Sequence, residues 1–285
     1  MTTTAAELPV IPGRLGSWDV VRAFPGAAAA FARRDLAVLL SYRTRVVTSN
    51  LESVFGLFLF YYIARLVHGG RFGTPQQYFE FVVVGMVVLT IVQSALAIPT
   101  TFRQELVAGT FERLVLSPFG ATAAVLALMV FPIAYALFRG TLVLLFATLL
   151  FHLHPHWHTA IAAVPLGVLG ALAFAPLALV FTAAILVFKQ APGQGAVLAV
   201  IAFVSGLYFP VSLLPWWLRW ISDVQPFTPS VDLMRHVLVG LPLQGSASWM
   251  LLKMAGFVVI GIPAGTWLVA AAGRLARRRG TITEY

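Results

Sequence analysis

Only a handful of side chains in this sequence could do chemistry. Four histidines alternate along Phe151-His-Leu-His-Pro-His-Trp-His158. In an extended chain His152, His154, His156 and His158 share one side, and imidazole is a common zinc and copper ligand. Pro155 interrupts them and no carboxylate or Cys lies near, so a metal would lack a fixed ligand geometry and a solvated turn fits better. Asn50 and Glu52 sit early in a long apolar run, where a carboxylate is costly and marks a functional position by default. Glu52 is also within reach of headgroups and of Arg43 or Arg45. Arg103, Glu105, Glu112 and Arg113 are concentrated between two apolar runs. On a helix, Glu105 and Glu112 are about two turns apart and share a face that can meet basic groups.

Other chemistry is excluded by what is missing. The sequence has no G-x-x-x-x-G-K-[ST] phosphate loop, and Gly193-Gln-Gly195 lacks the Lys that would reach a phosphate. No H-E-x-x-H or G-x-S-x-G is present, and the absence of Cys rules out disulfides and thiolate sites. The apolar runs lack the chain of ionisable groups that a proton-coupled carrier needs. Uphill work by this chain therefore requires energy from a partner.

The elements that position these residues are membrane helices. Of 285 residues, 60% are hydrophobic and 10% charged, against about 25% charged in soluble domains; the mean hydropathy is +0.90. A spanning helix takes roughly 20 mostly apolar residues. Windows 46–67, 79–98, 121–151, 160–188, 196–214 and 249–272 qualify, giving an all-α membrane protein of about six spans. The third and fourth windows exceed one span and must tilt, kink or begin at the interface. Arg139 falls inside the third and is expected to snorkel to headgroups.

The net charge of +9 is distributed as topology rather than as a nucleic-acid surface. Arg14, Arg22, Arg33, Arg34, Arg43 and Arg45 precede the first window, and Arg274, Arg277, Arg278 and Arg279 follow the last. Basic short loops stay cytoplasmic, so both termini are expected inside, in contact with membrane lipids. Nothing before residue 45 forms the apolar core of a cleavable signal, so the first span is expected to serve as the signal. The expected division is a cytoplasmic tail and interfacial helix over 1–45, a transmembrane domain over 46–272 and a basic cytoplasmic tail over 273–285. Within the first part, 1–26 reads as loose chain. Residues 27–45 form an amphipathic helix, or simply a positive flank to the first span. Within the domain, 101–116 is a cytoplasmic helix and 212–240 folds back as short outer helices. Pro210 and Pro215 end the fifth span, Trp216, Trp217 and Trp220 suit an interface, and Ser230 is placed to cap a helix carrying Asp232 and Arg235.

Glu105-x-x-x-Gly109-Thr110-x-Glu112-x-Leu114-x-x-Ser117-Pro118 resembles the coupling segment of ABC transporter type-2 permeases. Phe209-Pro210, Leu214-Pro215, Trp217-Leu218, Pro226-x-Thr228 and Val231-Asp232-x-x-Arg235 resemble that family's signature before its last span. Arg33-Arg34-Asp35 also fits, so the resemblance runs from about Phe31 to the end. Gln225 departs from the usual Asn, Pro229 from an aromatic or small residue, and the third window lacks an early Lys or Arg. The resemblance implies a permease subunit of an exporter in the bacterial cytoplasmic membrane, paired with a second copy and two ATP-binding cassette ATPase subunits. ATP and Mg would be bound by the partner, and this chain would carry no cofactor. Arg103, Glu105, Gly109, Thr110, Glu112 and Arg113 would couple to the ATPase. The path would be lined mainly by the first, second and fifth spans, with Asn50, Glu52, Phe55, Tyr208 and Phe209 on the path or gate. An amphipathic cargo is implied: a drug-like molecule, a lipid or a lipid-linked glycan. The competing classes are a lipid-active membrane enzyme using the histidines and a passive channel or scaffold. An ATPase that co-purifies separates the first reading from both.

Overall fold

The computed structural model describes residues 17–66, 74–107, 126–190 and 193–278. Among them every long element is a helix, and five helices are long and apolar enough to cross a membrane: Val46–Leu66, Pro75–Gln104, Leu126–Phe151, Ala163–Phe188 and Ala247–Ala276. The protein is an all-α membrane protein.

Helix α1 (Ser17–Ser41) begins before the expected interfacial helix and contains Pro25, so the chain is already helical where loose tail was expected. A break at Tyr42 leads into α2 (Arg43–Leu66). Helix α3 (Pro75–Ala95) has a complete start signal. The Thr74 hydroxyl accepts from the Gln77 amide, the Gln77 side chain accepts from the Thr74 amide, and Pro75 occupies the first turn, where no amide is needed. A turn at Leu96–Ala97 passes into α4 (Ile98–Val107). Next come α5 (Val130–Phe151), the single turn α6 (Trp157–Ala160) and α7 (Ala163–Phe188). His152 and Lys189 close α5 and α7 in the left-handed conformation that terminates helices.

The fifth expected span is replaced by α8 (Gln194–Val204), only 11 residues long. At 1.5 Å per residue it covers about half of the hydrocarbon thickness. It ends before any proline: Ser205 caps it, and Gly206 takes φ 81°, open to glycine and strained for most residues. A 3-10 turn (Val211–Leu213) leads to α9 (Trp216–Val224) and α10 (Phe227–Val239), and the chain closes with α11 (Ala247–Arg278).

Helix α3 is the hub. Val82, Val83 and Val84 are inaccessible, and α2, α5, α7 and α10 surround them. The most extensive contact is between α7 and α11. It depends on Gly261-Ile-Pro-Ala-Gly265, a small-xxx-small stripe that lets two helix backbones approach closely in lipid. A Cβ at Gly261 would collide with the Pro176 ring, and one at Gly265 would lie 2.8 Å from the Leu179 Cβ.

Helices α9 and α10 form a hairpin that dips into the bundle. Helix α10 runs along α7: Phe227 packs edge-on against Phe174 at 5.9 Å, Ser230 faces Gly170 and Met234 approaches Gly167. Its upper end is tied to the loop before α7, where the His156 amide donates to the Leu238 carbonyl at 2.8 Å. The apex at Gln225–Pro226 therefore sits level with Phe174, eleven residues or roughly 16 Å along α7. Ser230 is not the helix cap. Helix α10 starts three residues earlier, and the Ser230 hydroxyl donates back to the Pro226 carbonyl at 2.7 Å.

Candidate functional site

Helix α4 prolongs α3 out of its hub and is rooted by two apolar side chains. Phe102 and Leu106 are buried against Leu179, Ile185, Leu186, Val269 and Ala276 at the ends of α7 and α11. Arg103, between them in sequence, is exposed. Glu105 lies on the same helix, but its side chain is outside the described residues, as are Gly109, Thr110, Glu112 and Arg113. Gln194 at the start of α8 donates to the Leu96 carbonyl, which fastens α8 to the α3–α4 turn.

The five residues expected on a path fall into two groups. Asn50 is half-buried and donates to the Val46 carbonyl at 2.7 Å, Glu52 is exposed, and Phe55 is 71% exposed. Tyr208 stacks on Phe60 of α2 at 5.4 Å with an interplanar angle of 18°, and Phe209 meets Phe203 edge-on at 5.2 Å. Phe60 is ten residues past Asn50, about 15 Å up the helix, so the two groups lie at different levels of α2 and are not brought together. Helix α2 has almost no burial inside the chain, whereas the body of α3 is covered on all sides and lines little.

Arg139 lies thirteen residues beyond the first turn at Leu126 and donates to the Ser53 hydroxyl at 3.2 Å. This bond sets the guanidinium against α2 at Ser53, the residue that follows Glu52 in sequence. The lone Arg in an apolar window was the available signal.

The best-defined polar centre is at Arg235, only 3% exposed. Its Nε donates to the Phe81 carbonyl and its Nη2 to the Leu207 carbonyl, each at 3.0 Å. The guanidinium lies 3.3 Å from the centroid of the Phe81 ring, within cation–π range. Asp232 is one turn away on the same helix, its carboxylate 3.9 Å from Nη1. That separation is long beside the two carbonyl contacts, which are the stronger anchors. Gly85 makes room: a Cβ there would lie 3.0 Å from the Leu207 carbonyl oxygen and 3.3 Å from Arg235 Nη2. One side chain thus ties α10 to α3 and to the segment just before Tyr208.

An ABC-2 type transporter family model matches residues 34–239. The chain belongs to that family. Among curated proteins it is similar to nodulation protein J of Sinorhizobium fredii (strain NBRC 101917 / NGR234), 28% identical over 272 residues, covering 90% of this chain and 95% of that protein. Nodulation protein J of Rhizobium meliloti (strain 1021) is 32% identical over 97 residues, or 32% of this chain and 35% of that protein. The homologue from Rhizobium leguminosarum bv. viciae is 33% identical over 97 residues, with the same coverage. As an ABC-2 permease the chain is an integral membrane transport component and not itself the catalytic subunit.

The remaining polar residues of this permease have structural places. Among the described residues no three His, Cys, Asp or Glu side chains converge to hold a metal. The four histidines of the loop do not gather: all are exposed, and the His156 ring lies against Gly240. Trp216, Trp217 and Trp220 are exposed, as an interfacial belt requires. Two features went unread in the sequence, the Gly261–Gly265 stripe and the buried role of Arg235. The first was visible as a motif; the second was visible only as part of a signature.

Proposed function

We propose that this permease is the transmembrane subunit of an ATP-driven exporter that moves an amphipathic substrate out of the cytoplasm or inner leaflet: a drug-like molecule, a lipid or a lipid-linked glycan. The observation that carries the reading is the α3–α4 element. Its centre is the most buried of the spans among the described residues, one end holds the Arg235 contact next to Tyr208, and the other is a stub rooted by Phe102 and Leu106 with Arg103 outward. An element of this kind, anchored at both ends and pinned at its turn by Gln194, suits transmission of movement from an ATPase at the α4 end to the outer aromatic residues.

In this reading the α4 end and both termini face the cytoplasm of a bacterium. Two permease copies meet across the exposed surface of α2, and two ATPase subunits bind ATP and Mg. Residues 101–116 make the coupling contact through Arg103, Glu105, Gly109, Thr110, Glu112 and Arg113. Asn50, Glu52 and Phe55 line the path, and Tyr208 and Phe209 close its outer part.

The test is charge reversal of both carboxylates. A single exposed ion pair is worth under about 1 kcal/mol, so one substitution is too weak a probe. Glu105→Lys with Glu112→Lys is expected to reduce co-purification of the ATPase, or to abolish substrate-stimulated hydrolysis, while the chain still inserts. Wild-type assembly together with wild-type transport would remove these carboxylates from the coupling contact.

A further inference from the structure

Helix α8 is tied at its two ends, and its main helix contact is with α9. Gln194 bonds the Leu96 carbonyl at its start, and Ser222 of α9 bonds the Val204 carbonyl at its end. Between its middle and the α7–α11 pair lies a cavity of about 540 Å³, within the range of small-molecule pockets, roughly 300–1,000 Å³. Phe174, Leu177, Ile201, Phe257, Ala264 and Trp267 supply much of the wall, and no charged side chain lines it. The side-chain oxygen of Gln225, in the same wall, is inaccessible. An occupant therefore meets hydrocarbon. Along α11 the wall runs from Phe257 to Leu268, eleven residues or roughly 16 Å, about the hydrocarbon depth of one leaflet.

The rim on the side of the hairpin is charged. Lys253 lies on α11 one turn before Phe257 and on the same face. Its ammonium donates to the Asp223 carbonyl, next to Val224 of the cavity wall. Trp249, a further turn outward, is exposed as an interfacial residue is. Lys253 therefore stands at the lower edge of the headgroup layer, with the cavity beneath it. An ammonium has three donors, and this one uses one of them on the carbonyl. Among the described residues no carboxylate forms an ion pair with it. Arg219, one turn before Asp223 on α9, is taken up by the Leu214 and Ser212 carbonyls. With two cations and one carboxylate, the rim is positive on balance.

A cation this close to hydrocarbon is costly without an anion to meet it. A phosphodiester brings one negative charge and acceptor oxygens to that level, and in a membrane it carries the alkyl chains that match the wall. An alkane or a diacylglycerol fits the wall and leaves the ammonium unanswered. We propose that this cavity seats one acyl chain of a glycerophospholipid from the leaflet on the side of the hairpin, with the phosphodiester held by Lys253. The lipid fills the gap behind α8. The site shares no residue with the path assigned above and does not depend on how the transporter is energised.

Trp267 in the wall provides a native reporter. The full chain in dodecyl maltoside micelles, a detergent without phosphate, is titrated with phosphatidylglycerol or with diacylglycerol, each carrying 9,10-dibromostearoyl chains. The quantity read is the bromine quenching that disappears in Trp267→Phe. The phospholipid is expected to saturate at about tenfold lower mole fraction than the diacylglycerol, the size of one charge-assisted hydrogen bond. Lys253→Met is expected to remove that difference, and Lys253→Arg to keep it. Ala264→Phe, which fills the cavity away from the rim, is expected to remove saturable quenching by both lipids. The wild-type comparison is decisive by itself. Quenching that does not saturate, or equal quenching by the two lipids, overturns the proposal and leaves Lys253 as a cap on the end of α9 alone.

Discussion

Replacing Arg235 by Met removes a guanidinium while keeping an unbranched side chain of similar reach. Two charge-assisted hydrogen bonds at 3.0 Å are lost, each worth about 1.5–3 kcal/mol. The stacking on Phe81 goes with them, a further ~1–2 kcal/mol when desolvated. In the opposite direction, Met avoids the several kcal/mol of desolvation that the buried guanidinium carries. The changes left uncompensated are the bare Leu207 carbonyl and the isolated Asp232. Removing one partner of a buried pair generally costs about 3–5 kcal/mol, so a loss of ~3 kcal/mol is expected. Unfolding in mixed micelles, followed by tryptophan fluorescence, measures it. Asp232→Asn combined with Arg235→Met should recover about 1–2 kcal/mol relative to additivity, because the orphaned carboxylate is gone. A single mutant within 1 kcal/mol of wild type, or a strictly additive double mutant, would refute the view that Arg235 is the anchor of the hairpin.

Phe209→Ala should leave the chain folded, since Phe209 is only half-buried against Phe203, and should raise futile ATP hydrolysis in the reconstituted transporter; normal coupling in a well-folded mutant excludes a gating role. Cysteines introduced at His154 and Gly280 should react with impermeant maleimide from opposite sides of the membrane, and labelling from one side alone would overturn the proposed orientation.

What the sequence disclosed depended on how local the determinant was. Long apolar windows specified membrane helices because a lipid-buried backbone must bond within its own segment. The 196–214 window failed for a reason hydropathy cannot register. Its residues are apolar throughout, yet the helix stops at Val204, and the chain turns at Gly206 to leave room for a hairpin. The residues directly after Val204 are covered by protein rather than by lipid: Leu207 is fully buried, and the Ser222 hydroxyl of α9 donates to the Val204 carbonyl. The Ser230 cap was a sound local inference displaced by a tertiary fact, since the helix begins early enough for Phe227 to reach Phe174. Histidine alternation proposed a shared face that the loop does not form, because its backbone is tied instead to the end of α10. Aromatic residues next to Pro210 flagged Tyr208 and Phe209, but their partners Phe60 and Phe203 could not be deduced from spacing.

The Arg235 contact also sets an order of assembly. Its two acceptors lie 154 and 28 residues upstream, so both are already synthesised when α10 leaves the ribosome. The hairpin carries Arg219, Asp223, Asp232 and Arg235, a load that no lateral release into lipid would accept on its own. It must therefore wait beside the bundle until the groove between α3 and α7 exists, and then dock as a unit. Helix α11 follows last, covering α7 with its glycine face and meeting α10 through Met254. Chains that stall before α11 would leave the α7 surface around Pro176 and Leu179 uncovered and open to membrane quality-control proteases. Substitutions at Gly85 or Gly261 should therefore appear first as lost subunit abundance in the cell, before any defect in the surviving molecules.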